Sequence, residues 1–303
     1  MSLTIIMYHY VRDLRRSRYP EIKGLDISLF KRQLTRIRNS YKIVSMREVI
    51  EDRQGLPDNA ALLTFDDGYV DHYLNVFPLL DEIRVQGAFF PVAGSVREGK
   101  VLDVNKIHFI LASVEDKSVI VRDILSGLDK FRSEYHLETE AYYREKWARP
   151  SRWDDAEVTF IKRLLQVGLP LKVRAAIADE LFMKYVSVDE AAFAAELYMS
   201  ADQIKCMIRN GQFVGSHGYN HVWLGALEPA NQADDIDRSL DFLRSLGAET
   251  KNWVMCYPYG DYNSSLLEIL RTRGCAVALT THSGVATVKD GALLLPRLDT
   301  NEV

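Results

Sequence analysis

The 303-residue chain carries 38 lysines and arginines against 42 aspartates and glutamates, a formal charge of −4, with 47% hydrophobic residues. That is the composition of an ordinary globular protein long enough for a full core, and the slight acidity offers no electrostatic footprint for gripping a phosphate backbone, so nucleic acid is excluded as an expected partner. Three widely spaced cysteines, Cys206, Cys256 and Cys275, build no disulfide framework and suit a reducing compartment. No apolar run approaches the roughly 20 residues of a membrane helix. The opening MSLTIIMYHYV has neither a basic n-region nor a small-residue cleavage site, so a cytoplasmic protein is expected.

In chain order, an apolar run over 3–8 predicts a buried strand. Ser28 is the expected N-cap of a helix reaching about residue 39, with Leu29, Phe30, Gln33, Leu34 and Ile37 forming a mostly apolar stripe. A strand over 42–45, a short helix over 46–52 and a strand over 61–65 follow, then a helix over 73–84 and a strand over 88–93. The pattern resumes near residue 199. Ser200 caps a helix that ends at Gly211, before a strand over 213–216. The helix over 229–246 stops at Gly247 before a strand over 253–257, and the helix over 264–273 stops at Gly274 before a strand over 275–280. A last strand covers 293–298. Repeated strand-then-helix units imply an α/β fold with a parallel sheet, and this many suggest a barrel.

Between about residues 96 and 198 the strand pattern nearly vanishes, while 106–112, 119–131, 156–165 and 173–184 read as helices. So long a stretch predicts a mainly helical insertion, leaving a barrel of residues 1–95 and 199–303. The insertion leaves from the carboxyl end of the 88–93 strand. Parallel α/β folds carry their sites at that end, so it is expected over the catalytic face.

Two strand ends concentrate chemistry. Leu63-Thr64-Phe65-Asp66-Asp67-Gly68-Tyr69 closes a buried strand with adjacent carboxylates and a glycine that lets the backbone turn. Such neighbours repel unless a cation, a proton or strong hydrogen bonding intervenes. A metal ion would bind one carboxylate and leave the other free to take a proton from water. Ser216-His217-Gly218-Tyr219-Asn220-His221 also follows a strand, and its His-x3-His spacing brings both imidazoles to one ion if the segment begins to coil. Alone, each motif reads more readily as a polar turn. Together they supply two histidines and one carboxylate with open positions for water and substrate.

These residues resemble the polysaccharide deacetylase family, the metal-dependent carbohydrate esterases (family 4) with a distorted NodB-type (β/α) barrel. TFDDGY is similar to the family's first motif, SHGYNH to its second, and Cys256-Tyr257-Pro258-Tyr259-Gly260 to its third, a Pro-Tyr-Gly turn. The resemblance spans roughly residues 1 to 95 and 199 to 300 and finds no counterpart for the insertion. It implies removal of N-acetyl groups from an amino sugar or polysaccharide, in the making of a bacterial surface glycan. Asp66 would then be the base, while Asp67, His217 and His221 hold a divalent metal, zinc first, with Co²⁺ and Ni²⁺ equally suited. The backbone N–H of Tyr259 would share the oxyanion with the metal. A C-terminal histidine protonates the leaving amine in much of the family. In a circularly permuted branch that histidine lies near the N-terminus, and His9 resembles it more closely than His282 does.

The chain departs from the family in two places. Gly218 stands where a Ser or Thr usually follows the first metal histidine, and Cys256 stands near an expected arginine. Arg297, in Leu295-Pro296-Arg297-Leu298, is either a replacement that orients Asp66 or a surface arginine near the terminus. Trp223 and Tyr257 are candidate substrate contacts. Tyr135, Tyr142, Tyr143, Trp147 and Trp153 gather in the insertion, and core packing is the leading reading of them over a sugar-binding lid. A small cyclic amide as substrate, or a non-catalytic sugar-binding relative, stands as the alternative. The expected partner is an acetylated sugar, and the oligomeric state is left open.

Overall fold

The computed structural model describes residues 2–151 and 154–303. Its main sheet has nine strands: β1 (Ser2–Tyr8), β2 (Lys42–Ile43), β3 (Ala60–Asp67), β4 (Ala88–Pro91), β5 (Phe213–Val214), β6 (Trp253–Cys256), β7 (Cys275–Ser283), β8 (Ala286–Thr287) and β9 (Leu295–Asp299). The order is β5-β4-β3-β1-β9-β7-β6, every neighbouring pair on that path is parallel, β2 adds parallel to β3, and β8 lies antiparallel to β1. Just past β5, the Ser216 N–H donates to Val254 O at 2.9 Å, and the Ser216 carbonyl accepts from the Cys256 N–H at 2.8 Å. Those two bonds stitch β6 to the chain leaving β5. The parallel sheet thereby curls round until its two ends meet, the barrel that the strand–helix alternation predicts.

Strand periodicity sorts the core into two layers. Leu3, Ile5, Ala60 and Leu62 join Phe90, Val254, Leu279 and Leu295 in one buried cluster. Their neighbours Ile6, Tyr8, Ala61, Leu63 and Phe65 join Phe30, Leu34, Ile37 and Leu80 in another, between sheet and helices. A period of two then carries Asp66 on the face of Ala60 and Leu62, and His9 on the face of Leu3 and Ile5. Both stand at the carboxyl ends of their strands.

Several element ends differ from the sequence expectation, each for a local reason. Helix Ile27–Ser40 is capped by Asp26, whose Oδ1 accepts from the Ser28 N–H at 2.9 Å, so Ser28 is itself inside the first turn. The helix expected over 73–84 is a π-turn, His72–Val76, followed by helix Phe77–Glu82 with Pro78 in its first turn. Pro78 has no N–H to give the preceding turn, and the extra residue accommodates it. Ser200 does cap helix Ala201–Arg209, in a reciprocal pair with Gln203, and Gly247 ends helix Pro229–Leu246 at φ 79°.

The chain forms two compact units, one of Met1–Asp13, Gly24–Lys100 and Ala194–Val303, the other of Leu14–Lys23 and Val101–Phe193. The second is helical, with Phe109, Ile120, Ile124, Phe160, Ile177 and Phe182 buried. Segment Leu14–Lys23 joins it through Tyr19, whose ring meets Phe109 edge-on at 5.0 Å. Lys106 is buried there because Asp179 and Glu190 take its ammonium at 2.5 and 2.9 Å. Among the insertion's aromatics Tyr143 is buried, Tyr142 is exposed, and Tyr135 and Trp147 are half-buried. Trp153 lies outside the described residues. Among the described residues no helix is long and apolar enough to cross a membrane.

Candidate active site

The end of β3 places Asp66 in a fully polar cradle. Arg297 donates to both its oxygens, Nη1 to Oδ1 at 3.0 Å and Nη2 to Oδ2 at 2.8 Å. The same guanidinium donates from Nε to Thr280 O at 2.9 Å and from Nη1 to Thr64 Oγ1 at 3.2 Å, so each of its three nitrogens is engaged. Its side chain is 0% exposed and that of Asp66 2%, so Arg297 is the Asp66 partner and not a surface residue. Burial pushes the Cys256 thiol up, keeping it a neutral S–H donor 3.3 Å from both Asp66 oxygens. Burial alone would raise the Asp66 carboxyl. The charge of Arg297, helped by His217 and His9, outweighs it and lowers the pKa to about 2.

Asp67 faces the other way. At φ 70° it leaves the extended strand conformation, and Gly68 continues the turn at φ 74°, where a Cβ would lie 2.7 Å from Pro91 Cβ. The Tyr69 hydroxyl donates to Asp67 Oδ2 at 2.6 Å, and Tyr10 stacks on that tyrosine at 4.0 Å. Oδ1 is thereby left facing His217 Nε2 and His221 Nε2, each at 3.3 Å. These donor atoms all lie within 4.8 Å of one another and all three residues are buried. Burial would raise the Asp67 carboxyl, but the two imidazoles hold it well below the usual carboxylate range.

The donor set fits a cation. His217 Nδ1 donates to the Cys256 carbonyl at 2.7 Å, which in the neutral ring leaves Nε2 a bare lone pair. That lone pair points at Asp67 Oδ1, a buried atom with no hydrogen-bond partner. The cluster therefore calls for a positive charge. Burial works against charging His217, but without a metal Asp67 and Asp66 raise its pKa well above the ordinary value, so that a proton on Nε2 supplies the charge. A divalent cation would supply it in that proton's place, since two imidazoles with one carboxylate suit a borderline-soft metal. Asp66, His217 and Cys256 form a second, overlapping triad that shares His217.

The His-x3-His segment is an irregular loop, not the start of a helix. His221 reaches the site by adopting φ 52° after Gly218 at φ 72°. Asp235, on helix Pro229–Leu246, holds this loop: it accepts from the Tyr219 N–H at 2.7 Å and from the Asn220 N–H and Nδ2, each at 3.0 Å. A Cβ on Gly218 would sit 3.0 Å from Asp235 Oδ1, so the carboxylate takes the space and the ordering role of the missing hydroxyl. Asp235→Ala would leave buried N–H groups unpaired, and metal affinity is expected to fall on the order of 10–100-fold. Chelator competition measures this, and unchanged affinity would show that the loop holds itself.

The remaining residues divide. His9 Nε2 lies 4.0 Å from Asp66 Oδ2 with its side chain 40% exposed. Burial lowers the His72 pKa to about 4, and this neutral ring donates from Nε2 to the His9 carbonyl at 2.8 Å, fixing its backbone. His282 is exposed, its ring edge-on to Tyr262 at 6.3 Å. Tyr259 has φ 58° in the Pro258–Gly260 turn, and its ring contacts His221 at 4.7 Å and Trp223 at 4.5 Å. Tyr257, expected to touch substrate, is instead fully buried with its hydroxyl donating to Leu293 O at 3.0 Å. It has no surface left for a ligand. Sequence reasoning missed Tyr69, Asp235 and His72: Tyr69 stood within the first motif, whereas Asp235 carried no local mark at all.

The model of the polysaccharide deacetylase family matches residues 53–119 and 153–278. The chain belongs to the polysaccharide deacetylase family. Deacetylases of this family are metal-dependent, in keeping with the donor set around Asp67. The poly-beta-1,6-N-acetyl-D-glucosamine N-deacetylase of Escherichia coli is 39% identical over 61 residues, a stretch covering 19% of this chain and only 9% of that relative. Among solved deacetylase structures, PplD of Streptococcus pyogenes, in complex with acetate, aligns with a TM-score of 0.59 at 17% identity over 99% of this chain and 92% of that one. IcaB from Ammonifex degensii aligns with a TM-score of 0.59 at 22% identity, covering 99% and 91% respectively. At these identities the structural likeness is one of fold.

Proposed function

We propose that this deacetylase-family chain is a metal-dependent hydrolase that removes N-acetyl groups from an amino sugar or glycan, in the making of a bacterial surface polysaccharide. One observation carries the reading: Asp66 and Asp67, adjacent in sequence, are held by different partners for different work. Arg297 grips both Asp66 oxygens, while Asp67 Oδ1 faces two imidazole nitrogens, each at 3.3 Å. Asp67, His217 and His221 would hold the metal, with Zn²⁺ first and Co²⁺ or Ni²⁺ equally compatible. When bound there, the ion would polarise the amide carbonyl and make water more acidic.

Asp66 accepts the proton of the attacking water. Its depressed pKa keeps it ionised at neutral pH, and the Arg297 fork and Cys256 thiol fix its plane. The Tyr259 N–H donates to the oxygen that gains charge as the carbonyl becomes tetrahedral, a contact whose loss typically costs about 3 kcal/mol of barrier. His9 protonates the departing amine, and its exposed edge reloads from solvent. Water and amide become acetate and a free amine, with the proton passed from Asp66 to His9 through solvent or substrate.

The relative from Escherichia coli makes an oligomer of β-1,6-linked N-acetylglucosamine the first substrate to try. The test is acetate release from a panel of N-acetylated glucosamine oligomers, with and without chelator. Release that stops on chelation and returns with Zn²⁺ or Co²⁺ is the expected result. Release unaffected by chelation would overturn the metal assignment, and no release from any member would overturn the substrate class.

A further inference from the structure

Three residues of the site hold the left-handed backbone that L side chains rarely adopt: Asp67 at φ 70°, His221 at φ 52° and Tyr259 at φ 58°. Such conformations persist only where the surroundings enforce them. Asp67 has its tyrosine and its strand. His221 and Tyr259 sit on loops, and what they share is an aromatic row. The Trp223 indole lies flat on the Tyr259 ring, with centroids 4.5 Å apart and planes 4° from parallel. Tyr259 meets His221 edge-on at 4.7 Å, and His221 meets His217 at 4.9 Å.

Trp223 also carries a cost. Its Nε1 is buried with no hydrogen-bond partner, a poor arrangement for an indole whose only task is to fill space. One face of the ring is committed to Tyr259, and that stack is the contact this half-buried side chain visibly supplies.

We infer that Trp223 is a positioning residue that holds Tyr259 and, through it, His221 in their left-handed conformations, and is not a platform for the sugar. The stack fixes the Tyr259 ring and so the peptide that bears the oxyanion N–H. The edge contact of Tyr259 then backs the His221 imidazole against the metal position. The inference rests on the deacetylase reading for its catalytic half only.

The test compares Trp223→Ala, Trp223→Phe and the double variant Trp223→Ala/Tyr259→Gly, measuring kcat, KM and Zn²⁺ affinity by chelator competition. Trp223→Ala is expected to lower kcat by on the order of 10–100-fold with KM little changed, and to weaken Zn²⁺ binding about tenfold. Trp223→Phe keeps a stacking face and should retain most of both. Tyr259→Gly in the Trp223→Ala background should recover part of kcat, because glycine adopts φ near +58° without support. A rise in KM at unchanged kcat would make Trp223 a sugar platform and overturn the inference. So would a kcat loss that glycine does not relieve. If Trp223→Ala does not fold, Trp223→Leu, which has no flat face but fills more of the space than alanine, replaces it. If the wild type releases no acetate, the deacetylase reading fails separately and Zn²⁺ affinity decides. Equal Zn²⁺ affinity in wild type and Trp223→Ala would then overturn the inference.

Discussion

Arg297→Met is expected to lower the unfolding free energy by about 3–5 kcal/mol, the usual cost of stranding one partner of a buried ion pair. The substitution roughly keeps the volume but strips Asp66 of two charge-assisted hydrogen bonds, and it leaves Thr280 O without its 2.9 Å donor. The pH dependence separates this from a simple packing defect. In the wild type the Asp66 pKa is depressed to about 2, below its unfolded value, so its stabilisation is present above the unfolded pKa and is lost as pH falls through about 2. Without Arg297, burial dominates and raises the carboxyl instead, so ionised Asp66 destabilises the variant. The gap between wild type and variant should therefore be widest near neutrality and narrow on acidification. Urea unfolding at several pH values measures it. A constant gap would show that the guanidinium acts through packing alone.

Asp66→Asn is expected to lower kcat by about 10²–10⁴ while metal stays bound. The amide occupies the carboxylate's place but cannot accept a proton from water. It also faces Arg297 with a donor where an acceptor stood, so some stability is lost, and assays should run well below the variant's melting temperature. Turnover within tenfold of wild type would mean that another group takes the proton. His9, 4.0 Å away, would be the first suspect.

Most of the barrel was legible because it rests on local rules. Apolar strands, glycines that end helices at Gly247 and Gly274, and the Ser200–Gln203 cap each declare themselves within a few residues. The two motif ends were legible because paired carboxylates and a His-x3-His set are chemically conspicuous. Contacts across the chain were not. Arg297 and Asp66 are 231 positions apart, and only the inward face shared with Leu295 on β9 hinted that this arginine enters the barrel. Asp235 looks like any helix acid until the loop it holds is in place. Ser216 closes the sheet with two backbone bonds that no side chain advertises. Motif proximity marks both Tyr257 and Trp223 as substrate contacts. Strand parity sends the first into the core, and stacking commits a face of the second to Tyr259.

Zinc stoichiometry tests most directly the division of labour between the two adjacent aspartates. Purified Asp66→Asn and Asp67→Ala proteins should be dialysed against Zn²⁺ and the bound metal counted per chain. The expected result is about one zinc for Asp66→Asn and essentially none for Asp67→Ala. Full occupancy in Asp67→Ala, or loss of zinc from Asp66→Asn, would contradict the assignment of metal ligand and base.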